Sequence, residues 1–153
     1  NGTNYIRNTK LELWYLEYLK TKQDMRFYRS AVVTSAINDV SKESGKLVID
    51  EAVDTVRAVE DRCYDQRIPK MVAAYFEQMS QVFFGLKHSV SKGSPICIDI
   101  GDSVYGGVHV PTHEVLVATG KQIGLKFETE VLLRKRHSNK GAPLSQRLLV
   151  FRK

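Results

Sequence analysis

Gly101-Asp102-Ser103 stands directly after a short apolar run, Ile96 to Ile100, and is the first place in the chain where chemistry could be housed. A serine on a sharp turn at a strand end can act as a nucleophile when a base and an orienting carboxylate stand beside it. Hydrolases built on this triplet pair it with Asp-x-x-His near the C-terminus, and no Asp-x-x-His pair occurs anywhere in the chain. A nucleophile without a base is weak ground for hydrolysis. The better expectation is that Asp102 and Ser103 line a ligand crevice at the carboxyl end of a strand, where open α/β sheets bind.

Two other clusters could carry chemistry. His109 and His113 are four apart, a metal-binding spacing on a helix, but Pro111 lies between them and no third ligand is evident. They read as surface loop histidines, and no metal is expected. Arg134-Lys135-Arg136-His137 with Lys140 is the densest basic run. It is either a solvated hairpin loop or a set of phosphate contacts, whose binding would fall steeply with salt as counterions are released. Both readings stand. Cys63 and Cys97 form no Cys-x-x-Cys pair, so zinc and thioredoxin-like chemistry lack support. Cys97, inside an apolar run, is expected to pack as a small buried hydrophobe, and the reducing cytoplasm is the default setting.

These residues need elements to hold them. The 153 residues suffice for one domain with a core, spanning 1–153, and the formal charge of +6 favours a polyanionic partner only mildly. No apolar run is long enough to cross a bilayer, so no membrane partner is expected. Thr9 and Glu12 suggest a capping box for a first helix with Leu11, Trp14, Tyr15, Tyr18 and Leu19 on one face. A second helical pattern runs from about Met25 to Val40 and stops at Ser41 to Gly45; Asp50 would cap a third helix. Pro69 suits the first turn of a fourth, whose Val72, Tyr75, Phe76, Met79, Val82, Phe83 and Leu86 read as core packing.

Past residue 90 the pattern changes. Ile96 to Ile100 reads as a strand buried on both faces, Gly101 to Pro111 as a glycine-rich loop. A helix capped by Thr112 and closed by Gly124 comes next, then strands over 125–133 and 146–152 joined by a long linker. The expected class is therefore α/β, with a helical part over 1–90 and a strand–helix–strand–strand part over 91–153. The strand–helix–strand step suggests a parallel or crossover unit, and the final two strands an antiparallel pair.

The opening stretch Asn1-Gly2-Thr3-Asn4-Tyr5-Ile6-Arg7-Asn8-Thr9-Lys10-Leu11-Glu12-Leu13-Trp14 resembles the segment just after the Ser-Pro-Pro-Tyr catalytic motif in S-adenosylmethionine-dependent DNA amino-methyltransferases. Arg29-Ser30, Ile68-Pro69-Lys70-Met71-Val72 with Tyr75-Phe76, Ile100-Gly101-Asp102-Ser103 with Gly106-Gly107-Val108 and Val110-Pro111, and Leu132-Leu133-Arg134-Lys135-Arg136 are similar to that family in the same order. The resemblance implies the C-terminal half of such an enzyme: part of a methyltransferase-type Rossmann sheet of about three strands, the last inserted antiparallel. It implies a DNA partner and S-adenosylmethionine as cofactor of the parent protein. The catalytic tetrapeptide and the cofactor's glycine-rich loop are both absent from the sequence, so no catalytic residue is expected here and the chain alone should be inactive.

In the family an exocyclic base amine, flipped out of the helix, is oriented for in-line attack on the sulfonium methyl group. Carried onto this chain, Tyr5 would stack on the flipped base, with Asp102 and Ser103 at the pocket rim. Arg7, Arg134, Lys135, Arg136 and Lys140 would hold the DNA backbone. The plain alternatives, Tyr5 packing on Trp14 and Asp102 capping its own loop, stay open. So do an RNA amino-methyltransferase fragment and a non-catalytic nucleic-acid-binding or assembly module. A strand edge left bare by the missing half would favour a homodimer or a companion N-terminal half as partner.

Overall fold

The computed structural model describes residues 5–37, 49–138 and 141–153. Two short helices, α1 (Tyr5–Asn8) and α2 (Lys10–Tyr15), open the chain. Thr9 makes no cap to α2; its hydroxyl donates back to the Tyr5 carbonyl (2.8 Å). The capping box lies one element later, at α3 (Lys22–Ala31). There Thr21 Oγ1 accepts from the Asp24 amide (3.2 Å), and the Asp24 carboxylate accepts from the amides of Thr21 and Lys20. Helix α3 ends at Ala31 because Val32 turns extended, earlier than the periodicity suggests; the expected stop at 41–45 lies outside the described residues.

Helix α4 (Asp50–Glu60) is capped by Ile49, so Asp50 sits inside the first turn, where its charge complements the helix dipole without capping. Helix α5 (Arg67–Ser89) carries Pro69 in its first turn and buries Val72, Phe76 and Phe83, as the periodicity predicts, and Met71 besides. Val82 departs from that pattern and stays exposed.

The strands are β1 (Pro95–Gly101), β2 (Ser103–Tyr105), β3 (Val108–Val110), β4 (Lys126–His137) and β5 (Pro143–Arg152), with helix α6 (Thr112–Gln122) between β3 and β4. What reads as a glycine-rich loop is a hairpin, β2 paired antiparallel with β3. Gly106 and Gly107 supply its two-residue turn at φ of 59° and 83°, a conformation that matches the twist of the strands. Thr112 is the first residue of α6 rather than its cap, whereas Gly124 at φ 83° does close that helix, with Leu125 donating back to the Gly120 carbonyl.

The main sheet has the order β1-β5-β4. Chain-final β5 lies in the middle, antiparallel to both neighbours, with Ile98 opposite Leu149 and Leu148 opposite Val131. Strands β1 and β4 therefore run in the same direction and α6 connects them, but they do not pair. The parallel unit expected of the strand–helix–strand step is opened by insertion of β5. The basic run is not in a linker: β4 and β5 stay paired out to His137 opposite Pro143, so Arg134, Lys135 and Arg136 are strand residues.

One face of this sheet meets α5 and α6. Phe151 and Leu149 are fully buried there, and the Phe151 ring meets Phe83 edge-on at 5.2 Å and Phe127 at 5.5 Å. Helix α6 approaches so closely that a Cβ on Gly120 would lie 2.5 Å from the Phe151 ring. The other face is open: Cys97 is exposed, and so is Asp99. That corrects the expectation of a doubly buried strand and a packed Cys97. A run of alternating exposure in β1 is the mark of a sheet covered on one side. No described helix is long and apolar enough to cross a membrane.

Candidate functional site

At the carboxyl end of β1 the backbone turns at Gly101 into the β2–β3 hairpin, and a cavity of about 810 Å³ opens there. Its walls come from β1 and the hairpin, from Tyr75 and Phe76 of α5, from Tyr5 of α1 and from Arg136 of β4. The volume is in the range of small-molecule sites, about 300 to 1,000 Å³. Tyr5, Asp102, Ser103 and Arg136, drawn from three separate parts of the sequence, thus meet around one space. Arg7 lies exposed on α1 and Arg134 and Lys135 are exposed on β4, all outside the cavity lining; Lys140 lies outside the described residues.

Asp102 is the hub of the cavity floor. Its side chain is 4% exposed and accepts from Ser145 Oγ (2.6 Å) and from His113 Nδ1 (2.8 Å), with His109 Nε2 at 3.4 Å. Its backbone amide donates to the Ser145 carbonyl (3.0 Å), which extends the β1–β5 ladder by one bond. Burial pushes the Asp102 carboxyl up, but the two hydrogen bonds and the nearby histidines outweigh it and hold the group below the ordinary carboxylate value. One carboxylate therefore joins β1, the hairpin, the start of α6 and the start of β5. It does not cap its own loop. His113 is buried on α6 and is no surface loop residue; His109, half exposed, comes closer to that description.

Ser145 is held from its other side by Arg147 Nε (3.2 Å), and Arg147 pairs in turn with Glu130. Gln146 donates to both oxygens of Asp99. The wall around Tyr75 is different. Burial raises its hydroxyl far above the ordinary tyrosine value, and the hydroxyls of Tyr5 and Tyr105 add to the effect. Burial also raises Tyr105, partly offset by a hydrogen bond with Ser103. Tyr75 Oη and Arg136 Nε are both buried with no hydrogen-bond partner among the described residues.

Among the described residues His113 and His109 engage Asp102 rather than Ser103, and no group of three or more His, Cys, Asp or Glu could hold a metal ion. A methyl-donor loop of the strand–glycines–helix kind is not built here either: β1 leads into a hairpin, and Gly106 and Gly107 are used in its turn.

Tyr75, Tyr105, His113 and Ser145 are missed by sequence reasoning. The first reads as core because its helical spacing matches its neighbours. Ser145 reaches Asp102 only through the β1–β5 register, which no local pattern encodes. Tyr5 does not stack on Trp14: both are more than half exposed, at 60% and 65%. In comparisons with known proteins, no family model matches the chain, and no curated protein or solved structure is significantly similar to it.

Proposed function

We propose that the chain is the C-terminal half of an S-adenosylmethionine-dependent DNA amino-methyltransferase, contributing the side of the target pocket that receives the base. One observation carries the reading: the last strand inserts antiparallel between two strands that run in the same direction, the sheet ending implied by the sequence resemblance, and a cavity lies at the carboxyl end of the first of them. Within it Tyr5 offers a stacking face and Ser103 a hydroxyl, while Asp102 fixes the floor. Arg134 and Lys135, exposed on β4 next to the cavity-lining Arg136, suit contact with phosphates outside the pocket.

Under this reading a companion segment supplies the Pro-Pro-Tyr turn and the methyl donor. Among the described strands β1 pairs with β5 alone, and its free edge is where a strand of that companion would add. The test is fluorescence titration of a duplex oligonucleotide carrying 2-aminopurine, over a salt series. Binding that falls with salt and raises the 2-aminopurine emission, as the probe base leaves the stack, supports the reading. Replacing Arg134 and Lys135 with Ala should lower the salt slope by about 1 to 2. The chain alone should transfer no methyl group. Tight binding of an RNA duplex with no binding to DNA would move the reading to RNA, and no nucleic-acid binding at all would end it.

A further inference from the structure

Arg136 is a half-buried cation with no counterion among the described residues. Its Nη2 makes one long hydrogen bond, to the Asp102 carbonyl (3.4 Å), its Nε is buried without a partner, and no carboxylate among the described residues pairs with it. The two carboxylates nearest in the cavity wall are engaged elsewhere, Asp102 by Ser145 and His113 and Asp99 by Gln146. A desolvated guanidinium left uncompensated is costly, and the cost is recovered when an anion meets it.

The guanidinium also lies against the backbone. A Cβ on Gly101 would lie 2.5 Å from Arg136 Nη2, so the guanidinium rests against the strand end at a place that only glycine leaves open. On another wall of the same cavity Tyr75 offers a buried hydroxyl with no partner among the described residues, near the hydroxyls of Tyr5 and Tyr105. An unsatisfied buried donor of this kind is costly until an acceptor reaches it. Aromatic walls, a hydroxyl and a guanidinium that is only weakly bonded among the described residues together describe a flat heterocycle that carries an anion.

We propose that Arg136 is a phosphate-binding residue inside the cavity, so that the cavity takes a nucleotide, its phosphate on Arg136 and its base among Tyr5, Tyr75 and Tyr105. This rests on the target-pocket reading and deepens it, by setting Arg136 apart from Arg134 and Lys135. These two meet the DNA backbone from outside, whereas Arg136 grips the phosphate of the nucleotide that enters.

The experiment is calorimetric titration of the full chain with 2′-deoxyadenosine 5′-monophosphate and 2′-deoxycytidine 5′-monophosphate against the two nucleosides. At least one monophosphate should bind about tenfold more tightly than its nucleoside, the worth of one charge-assisted contact. Arg136→Gln should abolish that preference, and Gly101→Ala should reduce it by displacing the guanidinium while leaving the charge in place. Tyr75→Phe should weaken nucleoside and monophosphate alike. Circular dichroism of each variant separates lost binding from lost folding. Equal binding of nucleoside and monophosphate overturns the proposal, as does a preference lost in the Arg134→Ala, Lys135→Ala double variant but kept in Arg136→Gln. Tighter binding of S-adenosylmethionine than of either monophosphate also overturns it. Duplex binding that persists in the first two cases leaves the target-pocket reading standing, so the two fail separately.

Discussion

Two stretches of this chain carry strong apolar patterns and meet opposite fates. Over α1 to α3, Leu11, Trp14, Tyr15, Tyr18 and Phe27 are all more than half exposed, and Leu19 alone of the predicted face is buried. Over β5 and α5, Phe151, Leu149 and Phe83 have no exposure at all. Helix α2 is only six residues long, and Glu17 takes a left-handed φ of 61°, so the spacing that would align Tyr18 with Leu11 is broken before it can act. Strand β5 lies between two partners and under two helices. Periodicity states which residues could share a face, and a distant partner decides whether the face is covered.

The sharpest way to break this comparison is Phe151→Ala, which leaves a void between Phe83, Phe127 and Gly120. It should cost about 3 to 5 kcal/mol in urea denaturation, whereas Trp14→Ala should stay within about 0.5 kcal/mol despite removing a larger side chain. A Trp14 variant as damaging as the Phe151 variant would mean that the N-terminal aromatics are packed in solution. Next in size is Gly120→Ala. Its Cβ would drive into the Phe151 ring, an overpacking worth about 1 to 3 kcal/mol, whereas Gly85→Ala, inside α5 with open space around its Cβ, should stabilise by up to about 1 kcal/mol and serves as the control of opposite sign.

The smallest effect concerns pH and the Asp102 hub. The folded carboxyl lies below its unfolded value of about 3.9, so its contribution is complete above that pH and is lost as pH falls through the folded value. Asp102→Asn should lower stability at neutral pH and flatten the acid limb of the stability curve below about pH 4. An acid limb as steep as that of the parent protein would show that other carboxylates dominate it.

Much of the architecture is legible in local chemistry. Pro69 at a helix start, Gly124 at a helix end and the buried face of α5 derive from backbone sterics and spacing, which are short-range. The site is less so. Asp102 and Ser103 stand out because a strand ends just before them, but His113 looks solvent-bound until α6 turns it inward, and Cys97 looks buried until one face of the sheet is seen to be open. Pleat sets Arg136 apart from Lys135, because one residue along a strand exchanges the two faces, whereas Arg134 shares the face of Arg136 and differs from it only by lying one pair further from the cavity lining.

From the sequence alone come the helical first part and strand-rich second part, the basic surplus, the Gly124 helix end and the lack of a Pro-Pro-Tyr motif, since each depends on residue type and near neighbours. Strand order, the single covered face, the Asp102 hub and the pairing of Gly101 with Arg136 were decided only in three dimensions. Those features join residues tens of positions apart, and their energy exists only after the chain has closed the loops between them.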